Sequence, residues 1–207
     1  MEIRLAAWGL LLLLGFNGCC SGNEGAVSRD FSFLTDSILQ EGDLVFRRGQ
    51  GLASRAVLAA DNYSVYSHTG VVVRDETEWK VVHIVPGEPE FSGDRDRIKM
   101  EPLDVFFKPK RALKGAVMRV DNPEVAAFAA QRAVGLFDSG ILFDHNYNLN
   151  DTTRMYCTEL IQKIFLREGL DLTGGQRSRI KIPGFRGDYI LPSDIQNSPH
   201  VRLIYEF

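Results

Sequence analysis

The chain has 207 residues, 44% of them hydrophobic and 25% charged, with a formal net charge of −3. That length and balance predict one globular domain with its own core, and argue against a disordered or fibrous chain. No Lys/Arg cluster is dense enough to form an electrostatic footprint for nucleic acid, because Arg47-Arg48 and Lys108, Lys110, Arg111 are short and interrupted, so nucleic-acid partners are excluded.

At the N-terminus Arg4 precedes an apolar run from Leu5 to Phe16, which ends in Gly18-Cys19-Cys20-Ser21-Gly22. This is the charged, apolar and small-residue order of an export signal. The run is shorter than the ~20 residues that span a hydrocarbon core, so residues 1–18 are expected to be a processed signal rather than a transmembrane helix. A cysteine directly after a small residue resembles the lipobox of bacterial lipoproteins, and Cys19 is the best-fitting site of lipidation. Phe16-Asn17-Gly18 departs from the usual residues before that cysteine, which leaves simple secretion, or lipidation at Cys20, open. Residues 19–30 are small and polar and suit a flexible tether. The expected place of the chain is therefore the cell envelope or periplasm, as a monomer anchored to a membrane by its N-terminus.

The domain is expected to fill residues 31–207. Gly42-Asp43-Leu44-Val45-Phe46 predicts a turn and a short strand, and Gly51–Ala60 a helix with Leu52, Ala56 and Ala59 on one face. A β-hairpin follows, its arms Thr69–Val73 and Trp79–Val85 joined by the charged turn Arg74–Glu78. Gly115–Val120 is a further strand. Asn122-Pro123-Glu124 opens a helix to about Phe137, with Val125, Phe128, Ala129 and Ala133 as its apolar stripe. Another helix runs from about Tyr156 to Arg167 and stops at Gly169, and Val201–Phe207 closes as a strand. A hairpin with segregated helices argues an α+β fold.

Cys157 is the one cysteine after position 20, and it stands where the helix Tyr156–Arg167 begins. A single thiol in an exported domain builds no intrachain disulfide framework, so either it is a small buried hydrophobe or it does chemistry. As a nucleophile it needs a thiolate, which a helix N-terminus and a neighbouring imidazolium both favour. The base must be one of four histidines, His68, His83, His145 and His200. His68 and His83 lie in the two arms of one hairpin and can sit side by side if the arms are of equal length. Glu159 is better explained by the helix dipole than by catalysis, because residues two apart share no helical face. Tyr156 either lines an oxyanion site or packs, and Asp144, His145 and Tyr147 are candidates for a substrate wall just upstream of the cysteine.

Taken in order, Gly42-Asp43-Leu44-Val45-Phe46, Ser67-His68-Thr69-Gly70, Val81-Val82-His83, Tyr156-Cys157-Thr158-Glu159-Leu160 and Leu191-Pro192-Ser193-Asp194-Ile195 resemble the circularly permuted papain-like hydrolases of the NlpC/P60 superfamily, in particular the YiiX/YebB-like (orthopoxvirus G6-like) branch. The resemblance runs from about Leu39 to the C-terminus. It implies a permuted papain-like fold, an antiparallel sheet or small barrel packed by helices. It also implies Cys157 as nucleophile, His68 as general base and His83 as the third, orienting residue. YiiX-like members commonly carry Glu at that third position, whereas lecithin:retinol acyltransferase-like relatives carry His. The implied activity is an amidase or peptidase on a cell-envelope amide such as a peptidoglycan stem peptide, through a thioester. A lipid-directed acyl hydrolase or acyltransferase, or a binding lipoprotein without activity, stands as the alternative. No cofactor is expected, and zinc is disfavoured because Cys157, His68 and His83 lack the paired spacing of a zinc site.

Overall fold

The computed structural model describes residues 31, 34, 37–182 and 186–207; the expected signal, lipidation site and tether lie outside the described residues. In chain order the elements are β1 (Leu44–Arg48), α1 (Leu52–Ala60), β2 (His68–Asp75), β3 (Glu78–Ile84), β4 (Ile98–Pro102), α2 (Leu103–Phe106), β5 (Lys114–Val120), α3 (Pro123–Asp138), β6 (Leu142–Phe143), β7 (Arg154–Met155), α4 (Cys157–Arg167), β8 (Ser178–Ile180), β9 (Gly187–Tyr189), α5 (Pro192–Gln196) and β10 (Val201–Glu206). Six strands form one antiparallel sheet in the order β10-β5-β1-β2-β3-β4. The sheet is open, not a closed barrel, and the fold is α+β as the patterning predicts.

The β-branched runs of β2 and β3 are buried on both faces, which is why they read as continuous apolar segments rather than as alternating ones. Leu44, Phe46, Val71, Val73, Val82 and Ile84 share one core with the buried faces of α3 and α4. Val45, Val72, Val81 and Val117 pack on the opposite face with Leu39, Leu103, Phe106 and Phe107. Successive strand residues point to opposite faces, so His68 and His83 project with this second set, toward Phe106.

Two helices depart from their expected faces. In α3 the buried residues are Ala126, Ala129, Ala130 and Ala133, while Phe128 is exposed. An alanine face lets the helix lie close on the chain that enters β1. Gly42 shows how close: it has φ +82°, and a Cβ placed there stands 2.2 Å from the carbonyl oxygen of Ala126. Gly42→Ala is therefore expected to cost about 3 kcal/mol or more, read as a lower urea midpoint with an unchanged slope. The second departure is α1, which buries none of its residues and leaves Leu52 84% exposed.

The edge strand β4 was not anticipated, because Lys99 and Glu101 give it a polar pattern. Both are nevertheless buried, Lys99 in an ion pair with Asp94 and Glu101 beneath the hairpin.

Candidate active site

Strand β7 pairs in parallel with β6, and the chain turns directly from β7 into α4. This puts Cys157 at the first helical position, after Tyr156 as N-cap in extended backbone. The Tyr156 N–H donates to Glu159 Oε2 at 3.3 Å, and Lys163 closes on the same carboxylate at 2.7 Å. Glu159 is fully buried and thus caps the helix that carries the cysteine, in keeping with its reading as a first-turn acid. Tyr156 packs: its hydroxyl accepts from the Ile190 N–H at 2.9 Å, and Thr158 Oγ1 donates to the Ile190 carbonyl at 2.6 Å. The segment before α5 is thereby fastened to the start of α4.

Cys157 is half-buried and lines a cavity of about 520 Å³. His68, Arg47, Arg111, Tyr147, Tyr156 and Tyr189 line the same cavity. Beneath it the hairpin register sets Gly70 opposite His83, which brings the two imidazoles onto one face, with His68 Nε2 2.9 Å from His83 Nδ1. The adjacency that equal hairpin arms allow is realised. His83 is fully buried, and its Nε2 lies 3.0 Å from Glu101 Oε1. Arg111 Nη1 donates to both Glu101 oxygens, at 3.0 and 2.8 Å. Glu88 joins Arg111 to Arg47, whose guanidinium lies 4.6 Å over the Phe106 ring and donates to the Phe106 carbonyl at 2.8 Å. A continuous polar chain thus runs under the cavity from His68 to Arg47.

Electrostatics hold the pair in its uncharged form. Burial pushes His68 well below the ordinary imidazole value, and Arg47 adds to that. His83 is lowered too, mainly by burial, although Glu101 pulls it back up. Burial raises the Cys157 thiol above its usual range, and the backbone N–H groups of Thr69, Thr158 and Cys157 offset this only in part. The helix start does favour the thiolate, as expected, but desolvation outweighs it. For Glu101 the balance falls the other way: burial alone would raise it, yet His83 and Arg111 bring it down to about 2.

Stability should follow these shifts. A histidine whose folded pKa is lowered binds fewer protons in the native state, so its neutral burial costs stability once the unfolded chain protonates. Tm is therefore expected to fall as pH drops below about 6.5, the unfolded histidine value, and His68→Asn should flatten that slope. An equal slope in the variant would show that His68 is not buried in neutral form.

Of the remaining candidates, Tyr147 lines the cavity at φ +52°, a rare backbone for a non-glycine residue. Asp144 explains how it is held. Its carboxylate is fully buried and accepts from the Asn146 and Asn148 N–H groups, at 2.9 and 2.5 Å, so Asp144 shapes the loop instead of forming a substrate wall. His145 is exposed beside Asp96, and His200 lies just before β10, so neither joins the cysteine's cavity. Glu101, Arg111, Glu88 and Arg47 escaped sequence reasoning. Both His83 nitrogens are engaged, and among the described residues no group of three or more His, Cys, Asp or Glu is placed to hold a metal ion.

Comparison with known proteins agrees with this architecture. The solved structure described as metalloprotein yiiX from Escherichia coli O157:H7 superposes with a TM-score of 0.65 at 20% identity, covering 82% of this chain and 98% of that one. No curated protein matches the sequence. The family model of the permuted papain-like amidase enzymes, YaeF/YiiX, C92 family, matches residues 38–205. The chain belongs to that family of papain-like cysteine amidases.

Proposed function

We propose that the chain is an exported, membrane-anchored cysteine amidase that cleaves a cell-envelope amide such as a peptidoglycan stem peptide, with Cys157 as nucleophile, His68 as general base and His83 as its orienting partner. The observation that carries this reading is the half-buried thiol at the first position of α4, in one cavity with an imidazole whose Nε2 is already bound to a second imidazole. The export signal read from residues 1–18 supports the location.

The resting site is a neutral thiol beside a neutral imidazole, so proton transfer and attack are coupled. With Nε2 committed to His83, Nδ1 of His68 is the nitrogen left to take the thiol proton as Sγ attacks the carbonyl carbon. The oxyanion is met by backbone N–H groups at the start of α4, which already point at the sulfur. His68 then gives its proton to the departing amine, leaving a thioester. It next takes a proton from water, whose oxygen attacks the thioester carbon, and Sγ leaves with that proton.

A second reading, a lipid-directed acyl hydrolase or acyltransferase, is favoured by α1: Leu52 and Ala53 are exposed at the cavity rim, on a helix with no buried residue. Comparing amino-group release from muropeptides with fatty-acid release from phospholipid vesicles, with Cys157→Ala as the blank, separates the two. Muropeptide cleavage alone supports the amidase. Fatty-acid release alone moves the assignment to lipids, and activity that survives the substitution ends both.

A further inference from the structure

The pattern of polar contacts beneath the histidines decides which nitrogen carries each proton. Glu101 faces His83 with one oxygen and Arg111 with both, and it is ionised at neutral pH. A carboxylate only accepts, so the hydrogen on the His83 side must lie on Nε2. A neutral His83 then presents a bare Nδ1, and the 2.9 Å contact requires His68 to donate from Nε2. That leaves the lone pair of His68 on Nδ1.

We propose that Glu101, clamped by Arg111 at the far end of the His68–His83 pair, is a positioning residue that fixes the tautomers of both histidines and so makes His68 Nδ1 the base toward Cys157. This rests on the amidase reading for the roles of Cys157 and His68, but the tautomers themselves do not depend on it. Its logic is that of the acid in a three-residue triad, placed one imidazole further out. The charged groups around the chain are Arg47, Glu88 and Arg111; Arg111 lies on the loop before β5, and Arg47 on β1. Arg47 and Arg111 both disfavour charge on His68, whereas Glu101, bonded directly to His83, favours charge there.

Glu101→Gln separates positioning from mere packing. Arg111 offers only donors, so the new amide must turn its oxygen to Arg111 and its NH₂ to His83 Nε2. That moves the His83 hydrogen to Nδ1, where it donates to His68 Nε2, and the His68 hydrogen to Nδ1, where it blocks the base. The side-chain volume is almost unchanged.

The first measurement is ¹⁵N NMR of the histidine rings in the full chain, with His145→Gln and His200→Gln used for assignment. Both His68 and His83 are expected in the Nε2–H form at pH 7 in the wild type, and in the Nδ1–H form in Glu101→Gln. The second is the rate of Cys157 alkylation by iodoacetamide, expected to fall about 10-fold or more at pH 7 in Glu101→Gln and to recover in part in Glu101→Asp. An Nδ1–H or charged form of either histidine in the wild type overturns the proposal, as does a Glu101→Gln protein with wild-type tautomers and alkylation rate. If Glu101→Gln does not fold, the wild-type spectrum alone decides. The expected tautomers together with muropeptide cleavage that survives Cys157→Ala would sink the amidase reading and leave the role of Glu101 as a tautomer anchor standing.

Discussion

Cys157→Ala is expected to abolish amide hydrolysis, a loss of at least about 10⁴-fold in kcat, while the protein stays folded. The hydroxyls on either side of Cys157 in the chain are committed elsewhere. Thr158 has its hydroxyl committed to the Ile190 carbonyl, and the Tyr156 hydroxyl is engaged by the Ile190 N–H. Both contacts fasten the chain before α5 to α4, and neither involves Sγ, so the substitution leaves the helix start intact. Removing one half-buried sulfur should change stability by no more than about 1 kcal/mol. The check is amino-group release from muropeptides alongside the thermal transition. Undiminished release by a folded variant would refute the nucleophile assignment.

The parts of this protein that depend on local periodicity were legible, and those that depend on what covers a face were not. The β-branched hairpin, the strand after Gly42, the helix opened by Asn122-Pro123 and the helix that begins at Cys157 all follow from spacing and caps, and each lies where the sequence places it within a few residues. The choice of buried stripe in α3 did not, because Ala126 and Ala130 carry little hydrophobic signal beside Phe128, yet it is the backbone at Ala126 that lies against Gly42. In α1 the reverse holds: the apolar face of Leu52, Ala56 and Ala59 is present in the sequence, but none of the helix is buried. The edge strand β4 was missed because its alternating charges suggest solvent, whereas Lys99 and Glu101 are buried by partners on other elements. For that reason the candidate site was half visible. Cys157, His68 and His83 stand out by residue type and by the family resemblance, but nothing local distinguishes Glu101 from the other acids of the chain. Only the register of β3 on β4, which pairs His83 with Lys99 and places Glu101 two residues on along the same face, reveals the contact. Asp144 illustrates the converse, an acid close in sequence to the cysteine whose carboxylate is spent on the backbone of its own loop.

His68→Ala is expected to lower kcat by on the order of 10³-fold or more and to remove the reactivity of the thiol at neutral pH. Burial holds His68 below and Cys157 above their ordinary values, so the resting pair is neutral near pH 7. The ultraviolet absorbance of a thiolate should accordingly be absent from wild-type Cys157 at acid and neutral pH. Alkylation by iodoacetamide should rise below the ordinary imidazole value of about 6.5, where His68 loses its proton, because only neutral His68 can accept the thiol hydrogen. In His68→Ala that rise disappears, and the rate climbs only with direct ionisation of the thiol, above the ordinary cysteine value of about 8.5. His83→Ala should be milder, since it leaves the base in place and removes what orients it; the cost is the loss of a 2.9 Å contact on one side and a buried Glu101 without its imidazole on the other. Matching pH profiles in wild type and His68→Ala would remove His68 from the mechanism. Thiolate absorbance at acid pH that vanishes in His68→Ala would instead mean a standing thiolate–imidazolium pair, and the coupled transfer argued from the buried site would have to be abandoned.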